Sequence, residues 1–261
     1  MPELPESDMA RRVIENDCLN RTIESVEPGD DVTYIELPGD NERKRLVGHQ
    51  FTQTHRHGKF IFAGSKSGPW LVVHLGMTGK LIAFDAPDDP PDYTKLLIAF
   101  EGDRRLAFRC PRKLGMARVV DDPADFMTEG GYGPDALEIS ESDFIETIGK
   151  TNGAIKSALM SQKKLAGIGN LWSDETCFQL GLNPETKASS LEEACLAEMH
   201  GKSQAILRAV LDTGARYKRL PDDWLIRHRK QDRECPRCGG TIAKKKVGGR
   251  SAYYCQKHQA G

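Results

Sequence analysis

The 261-residue chain has no stretch near the roughly 18 consecutive apolar residues of a membrane-spanning helix, which excludes that class of membrane protein. It also has no apolar run at its amino end of the kind that marks export, so a reducing, cytoplasmic setting is expected, with nucleoid association if the source is bacterial. Net charge is nearly absent: 37 Lys and Arg against 38 Asp and Glu give −1, so total charge names no polyanionic partner. Internal repeats and low-complexity segments are missing as well. An odd count of seven cysteines excludes complete disulfide pairing, and in a reducing setting clustered thiols hold metal. What remains is an ordinary globular composition, 29% charged and 38% hydrophobic, long enough for one large domain or two modest ones.

The charge is unevenly placed. Between Arg216 and Arg250 stand 12 Lys and Arg against 4 Asp and Glu, whereas the remainder carries 25 basic and 34 acidic residues. Such asymmetry fits either a basic module that faces phosphate or a solvated basic surface. Residues Pro2 to Asn16 predict a helix, with Met9/Val13 and Ala10/Ile14 at i,i+4 spacing. From Thr22 to Val120 the chain reads as short strands rich in β-branched and aromatic residues. Among them are KFIFAG, WLVVHLGM, TKLLIAF and RLAFRC. Many strands without intervening helices predict a β-sandwich. The segment DAPDDPPD, Asp85 to Asp92, predicts a solvated loop. After Asp121 the spacing turns helical, with a long helix from about Leu191 to Leu211, a capping box on Ser190 and Glu193, and a stop at Gly214. The expected boundaries are 1–127, 128–228 and 229–261.

Two stretches carry chemistry of their own. Cys235-x2-Cys238 and Cys255-x2-His258, separated by 16 residues, supply the four ligands that a closed, structural zinc site needs. Val247-Gly248-Gly249-Arg250 lies midway as the hairpin tip. In LAGIGNLWSDE, Leu165 to Glu175, glycines permit tight turns and Asn170 suits a helix N-cap. Amides exposed at such a helix start bind a phosphate oxygen, although an ordinary helical hairpin reads the same way.

The opening MPELPE leaves two readings. A penultimate proline opens Met1 to removal, and the exposed secondary amine, with a reference pKa of about 8, could form an iminium adduct. On these six residues alone the simpler reading leads: Pro2 opens a helix, with Glu3 and Glu6 favoured by the helix dipole.

Taken together, MPELPE, HGKF (His57 to Phe60), HLGMTG (His74 to Gly79), AGIGN and the four-ligand finger resemble, in order, the formamidopyrimidine-DNA glycosylase and endonuclease VIII family of base-excision repair. The resemblance implies an α+β protein: an N-terminal β-sandwich with flanking helices, a helix–two-turn–helix domain and a zinc-finger β-hairpin, with DNA in the cleft between domains. It implies a monomer that acts on damaged or abasic-site DNA, carries one structural Zn2+ and has no membrane partner. Pro2 would be the nucleophile at C1′, Glu3 the acid/base and Glu6 its supporting carboxylate. Lys59, Asn170 and Arg250 would clamp phosphates, with Lys156 a further DNA contact. Met77, Arg112 and Leu114 would fill the hole left by the flipped base. The implied activity is glycosylase with β/δ-elimination at the abasic site.

Three features depart from the family pattern. Leu114 stands where an aromatic is usual, and His258 where a fourth cysteine is usual. The stretch from Gly214 to Glu234 is too short for the flexible loop that closes on oxidised purines. A binding module with AP-lyase but little glycosylase activity is the alternative. A small N-terminal-proline tautomerase is the remote one, since it requires neither a zinc finger nor a phosphate hairpin.

Overall fold

The computed structural model describes residues 2–259 and divides at Gly131/Tyr132 into two compact units, taken here in turn. In the first, helix α1 (Leu4–Asp17) buries Leu4, Ala10 and Ile14, the face that the i,i+4 pattern predicts. Its open amino end is capped by Glu6, whose Oε2 accepts the Glu3 N–H at 2.8 Å.

The strands form two antiparallel four-stranded sheets. One runs β1 (Ile23–Pro28), β6 (Thr94–Phe100), β7 (Arg104–Arg109), β5 (Lys80–Asp85). The other runs β2 (Gln53–His57), β3 (Phe60–Gly64), β4 (Trp70–His74), β8 (Met116–Val120). Val26, Leu96, Ile98 and Phe108 from the first share one core with Ile61, Leu71, Val73 and Val119 from the second, which makes the sandwich. Every residue of β3 is buried because its outer side is covered too: Phe60 and Phe62 meet Phe126 edge-on, at centroid distances of 5.4 and 6.1 Å. Phe126 lies on α3 (Pro123–Glu129), opened by the Asp122 side chain. Neither α3 nor α2 (Asp40–Leu46) shows a long apolar period. Helix α2 contributes only Leu46 to the core and is capped by Glu42, which accepts the Gly39 N–H at 2.7 Å.

The second unit contains α4 (Glu141–Gly149), α5 (Ile155–Met160), α6 (Asn170–Gln179) and α7 (Glu193–Asp212), followed by the hairpin β9 (Ile242–Val247) and β10 (Arg250–Cys255). Helix α7 begins at Glu193 with Glu192 at the cap, so the capping box expected on Ser190 does not form. Ser190 sits in a short 3-10 turn and donates to the Lys187 carbonyl at 2.7 Å. The hairpin has too little apolar surface for a core of its own. Cys235, Ile242 and Cys255 bury instead with Phe178 of α6 and with Leu225.

Val247 pairs with Arg250 across Gly248 and Gly249, whose φ values are +56° and +76°, the two-residue turn whose twist suits a hairpin. A Cβ on Gly248 would lie 2.2 Å from the Ser157 Oγ and 3.2 Å from the Ser157 Cβ of α5, so the tip that carries Arg250 rests closely on α5, and a side chain there would have to displace the serine hydroxyl. Gly248→Ala is therefore expected to destabilise the second unit by more than the ~1–2 kcal/mol of a left-handed alanine alone. Gly249→Ala, which meets no atom within 4 Å, should cost only that backbone amount. Urea unfolding of both variants measures the difference.

Candidate active site, phosphate hairpin and metal centre

In the first unit the amino end of α1 is fastened to the β2–β3 turn, Gly58-Lys59. The Ser7 hydroxyl donates to the Lys59 carbonyl at 3.2 Å. Asp8 takes Arg11 and Arg12, each at 2.9 Å, and lies 3.9 Å from Arg56, whose Nη1 reaches the Gly58 carbonyl at 3.1 Å. Pro2 is partly buried, Glu3 fully buried, and Lys59 partly exposed. These contacts place Pro2 and Glu3 on an element tied to the turn of Lys59, although 52 residues separate Ser7 from that turn. Next to it, burial and the charge of Lys59 drive the pKa of His74 down to about 4, so its imidazole is neutral at pH 7. Its Nδ1 lies 3.2 Å from the Gly76 N–H and accepts it.

Gly76 opens the turn that carries Met77. Its φ is +61°, and a Cβ there would fall 2.2 Å from the Leu114 carbonyl oxygen. The turn therefore rests against the 112–115 loop, so the segments that carry Met77 and Leu114 are neighbours although 37 residues separate the two in sequence. Arg112 is exposed, and Leu114, 54% exposed, is one of four large apolar side chains left open among the described residues. The loop is braced from behind. Lys113 pairs with the Asp31 carboxylate, which lowers that carboxyl's pKa. The buried Lys95 donates to the Asp30 and Asp31 carbonyls at 2.7 and 3.1 Å.

In the second unit α6 begins at Asn170, and Gly169, not Asn170, is the cap. The side chain of Asn170 is thus not spent on capping, and its buried Oδ1 has no hydrogen-bond partner. Arg250 is exposed at the hairpin. Lys156, expected as a further DNA contact, lies inside the unit. Its side chain is 0% exposed, and its ammonium is bonded to Asp174 at 2.5 Å, the Asn170 carbonyl at 3.2 Å and the Ser173 hydroxyl at 3.3 Å. A surface lysine and a buried one look alike in a sequence, because the long stem suits both.

Sequence reasoning also missed Glu175. It accepts the Leu225 and Ile226 N–H groups at 3.2 and 2.8 Å and the Gln179 amide at 2.7 Å, holding the segment after α7 onto α6. Burial nevertheless pushes its carboxyl up to about 7.

The Cys235, Cys238 and Cys255 Sγ atoms lie within 4.8 Å of one another, and those of Cys238 and Cys255 are 3.5 Å apart. The imidazole of His258 is outside that group. Its Nε2 is 2.8 Å from the Phe178 carbonyl, and its backbone N–H is directed at the Cys255 sulfur at 3.4 Å.

Family models match three successive segments: the formamidopyrimidine-DNA glycosylase N-terminal domain over residues 1–117, the H2TH domain of the same enzymes over 131–221, and the zinc finger found in FPG and IleRS over 234–257. The formamidopyrimidine-DNA glycosylase of Bacillus subtilis is 30% identical, with 99% of each chain covered. That of Geobacter metallireducens is 31% identical, covering 99% of this chain and all of its own. This chain belongs to the formamidopyrimidine-DNA glycosylase family. Among solved structures, the Lactococcus lactis enzyme bound non-covalently to DNA with an AP site matches with a TM-score of 0.88 at 25% identity. A MutM complex with DNA containing carbocyclic 8-oxo-G matches with 0.88 at 27%. Both cover all of each chain.

The finger of this family member fits one zinc. Three soft sulfur donors converge, and a Cβ on Gly240 would lie 3.1 and 3.3 Å from the Cys255 and Cys238 sulfurs, so the knuckle wraps closely around them. The Gly240 N–H pulls the Cys238 thiol below its ordinary pKa, towards the thiolate a metal takes. Among the described residues no helix is long and apolar enough to cross a membrane.

Two predictions follow from this unit. Cys238→Ser should lose zinc at chelator concentrations that leave the parent loaded, measured by metal content, while the core of the first unit stays folded. Burial raises the pKa of Glu175 from the ordinary 4.5 of the unfolded chain to about 7 in the folded state, which therefore holds its proton more tightly. The stability this contributes is complete below about 4.5 and lost as pH rises to about 7. Glu175→Gln should flatten the pH dependence of unfolding free energy across that window.

Proposed function

We propose that the protein is a base-excision-repair DNA glycosylase that also cleaves the abasic strand, with the N-terminal nitrogen of Pro2 as its nucleophile. The observation that carries the reading is the fastening of α1 to the Lys59 turn through Ser7, Asp8 and Arg56, because a pure binding module has no use for a chain end held so firmly. Once Met1 is removed, the secondary amine attacks C1′ of the damaged nucleotide. The base departs with the electron pair of its glycosidic bond and takes up a proton, while the proline nitrogen loses one. Opening of the C1′–O4′ bond, with a proton delivered to O4′, gives the iminium. Glu3 is the group assigned to these proton transfers, and Glu6 supports it by holding the Glu3 backbone. The iminium acidifies the C2′ hydrogen. Loss of that proton expels the 3′ phosphate, and a second elimination expels the 5′ phosphate.

Lys59, Asn170 and Arg250 are the phosphate contacts. Each offers a donor on a turn or helix start, as backbone positioning needs. Met77, Arg112 and Leu114 fill the vacated stack, and the exposure of Leu114 supports that role. His258 completes the zinc site through Nδ1, since hydrogen bonding of Nε2 to a backbone carbonyl is the usual arrangement behind a metal-bound imidazole. The segment from Gly214 to Glu234 is pinned by Glu175 and by Arg227, which donates to the Leu220 carbonyl at 3.2 Å. That tethering argues against a lid that closes on oxidised purines.

Borohydride added during turnover on an abasic duplex should trap a covalent adduct, and peptide mapping should place it on Pro2. An added N-terminal residue should abolish trapping and spare binding. An adduct on an internal lysine, or strand cleavage without any adduct, would refute the mechanism.

A further inference from the structure

Asp174 lies inside the second unit with its side chain 0% exposed, and it meets groups from three separate segments. Its Oδ1 takes the Lys156 ammonium of α5 at 2.5 Å. Its Oδ2 takes two nitrogens of Arg229, Nε at 2.9 Å and Nη2 at 2.7 Å, and also the Tyr253 backbone N–H of β10 at 3.1 Å. The two cations do not stop at the carboxylate. Lys156 Nζ and Arg229 Nη2 both reach the Asn170 carbonyl, at 3.2 and 3.4 Å. The Arg229 guanidinium also lies over the Tyr253 ring, 4.5 Å from its centroid, a second tie to the hairpin.

We propose that Asp174 is a positioning residue that locks the Asn170 end of α6 and the β9–β10 hairpin bearing Arg250 into one DNA-gripping piece. The inference rests on the reading of Asn170 and Arg250 as phosphate contacts, and it adds what holds them. Asn170 is the first residue of α6. Its carbonyl is gripped by both cations, and its side chain is left without a capping duty. The Tyr253 N–H bond fixes β10 to the same carboxylate, three residues from Arg250. Without Asp174 the cations would repel each other, and neither the carbonyl nor the strand would have a fixed partner.

The charge balance makes the role separable from electrostatic attraction. Two cations share one carboxylate, so removing the negative charge adds positive charge beside the amino end of α6. If the junction acted only through its field, Asp174→Asn would bind DNA more tightly. If it positions, the variant binds more weakly, because a carboxamide offers a single acceptor oxygen where the carboxylate serves four donor nitrogens through two.

The test uses the full-length, zinc-loaded protein and an abasic-site duplex. Asp174→Asn is expected to weaken binding roughly tenfold or more. The rate of borohydride trapping at saturating DNA should be unchanged, since the first unit holds the nucleophile. Zinc content checks that the variant has folded. Arg229→Met, which retains the stem over Tyr253, serves if it has not. The Arg229→Met and Asn170→Ala effects should be strongly non-additive, the double variant binding scarcely more weakly than Asn170→Ala. Tighter binding by Asp174→Asn, or effects of Arg229→Met and Asn170→Ala that multiply, would overturn the proposal. A wild-type-like Asn170→Ala would instead overturn the phosphate assignment on which it rests.

Discussion

A chain end is the least restrained part of a protein, and chemistry at an N-terminal nitrogen needs that freedom removed. Here the restraint is α1. Leu4 and Ile14 are fully buried against the sandwich, Glu6 closes the first turn, and Ser7 and Asp8 join the helix to the strand turn that carries Lys59. The same unit holds the neutral, half-buried His74, the Gly76 turn packed on the Leu114 backbone, and the exposed Arg112–Leu114 loop braced by Asp31 and Lys95.

The second unit solves a different problem with the same economy. Its hairpin is too small to hold itself together, so Cys235, Ile242 and Cys255 share a core with Phe178, while His258 meets the Phe178 carbonyl near the carboxyl end of α6. The middle of α6 is joined to the hairpin through Asp174 and Tyr253. Helix α6 is thus tied to the hairpin at two points. SDET in its middle is as inaccessible as the apolar residues around it, with Asp174 serving the hairpin and Glu175 the segment after α7. Burying carboxylates this way is costly unless every oxygen is satisfied, and Asp174 and Glu175 each accept from several donors.

Much of this was legible beforehand. Short runs rich in β-branched and aromatic residues marked the strands, i,i+4 spacing marked α1, and two ligand pairs 16 residues apart marked the metal. The glycine pair at the hairpin tip was legible for the same reason: only a few backbone shapes close a two-residue turn. Helices α2 and α3 were not, because each is a short surface element defined by a cap and one or two buried side chains rather than by a period. The burial of Lys156 was hidden for a related cause. Its partner, Asp174, is 18 residues away, and nothing local distinguishes an ammonium that meets a carboxylate from one that meets water.

The sequence by itself therefore determined the strands, the zinc-binding spacing, the N-terminal proline with its carboxylates, and the order of family motifs. Each of these depends on neighbours along the chain, where sequence distance and spatial distance agree. Only the tertiary structure decided that Ser7 reaches Lys59, that the Gly76 turn lies against the Leu114 backbone, that the thiols cluster with His258 turned to Phe178, and that Asp174 draws three segments together. Those pairings span tens of residues. Which polar groups meet there is fixed by how the sheets and helices close on their cores, since hydrophobic burial is non-directional and the chain does not encode each contact locally.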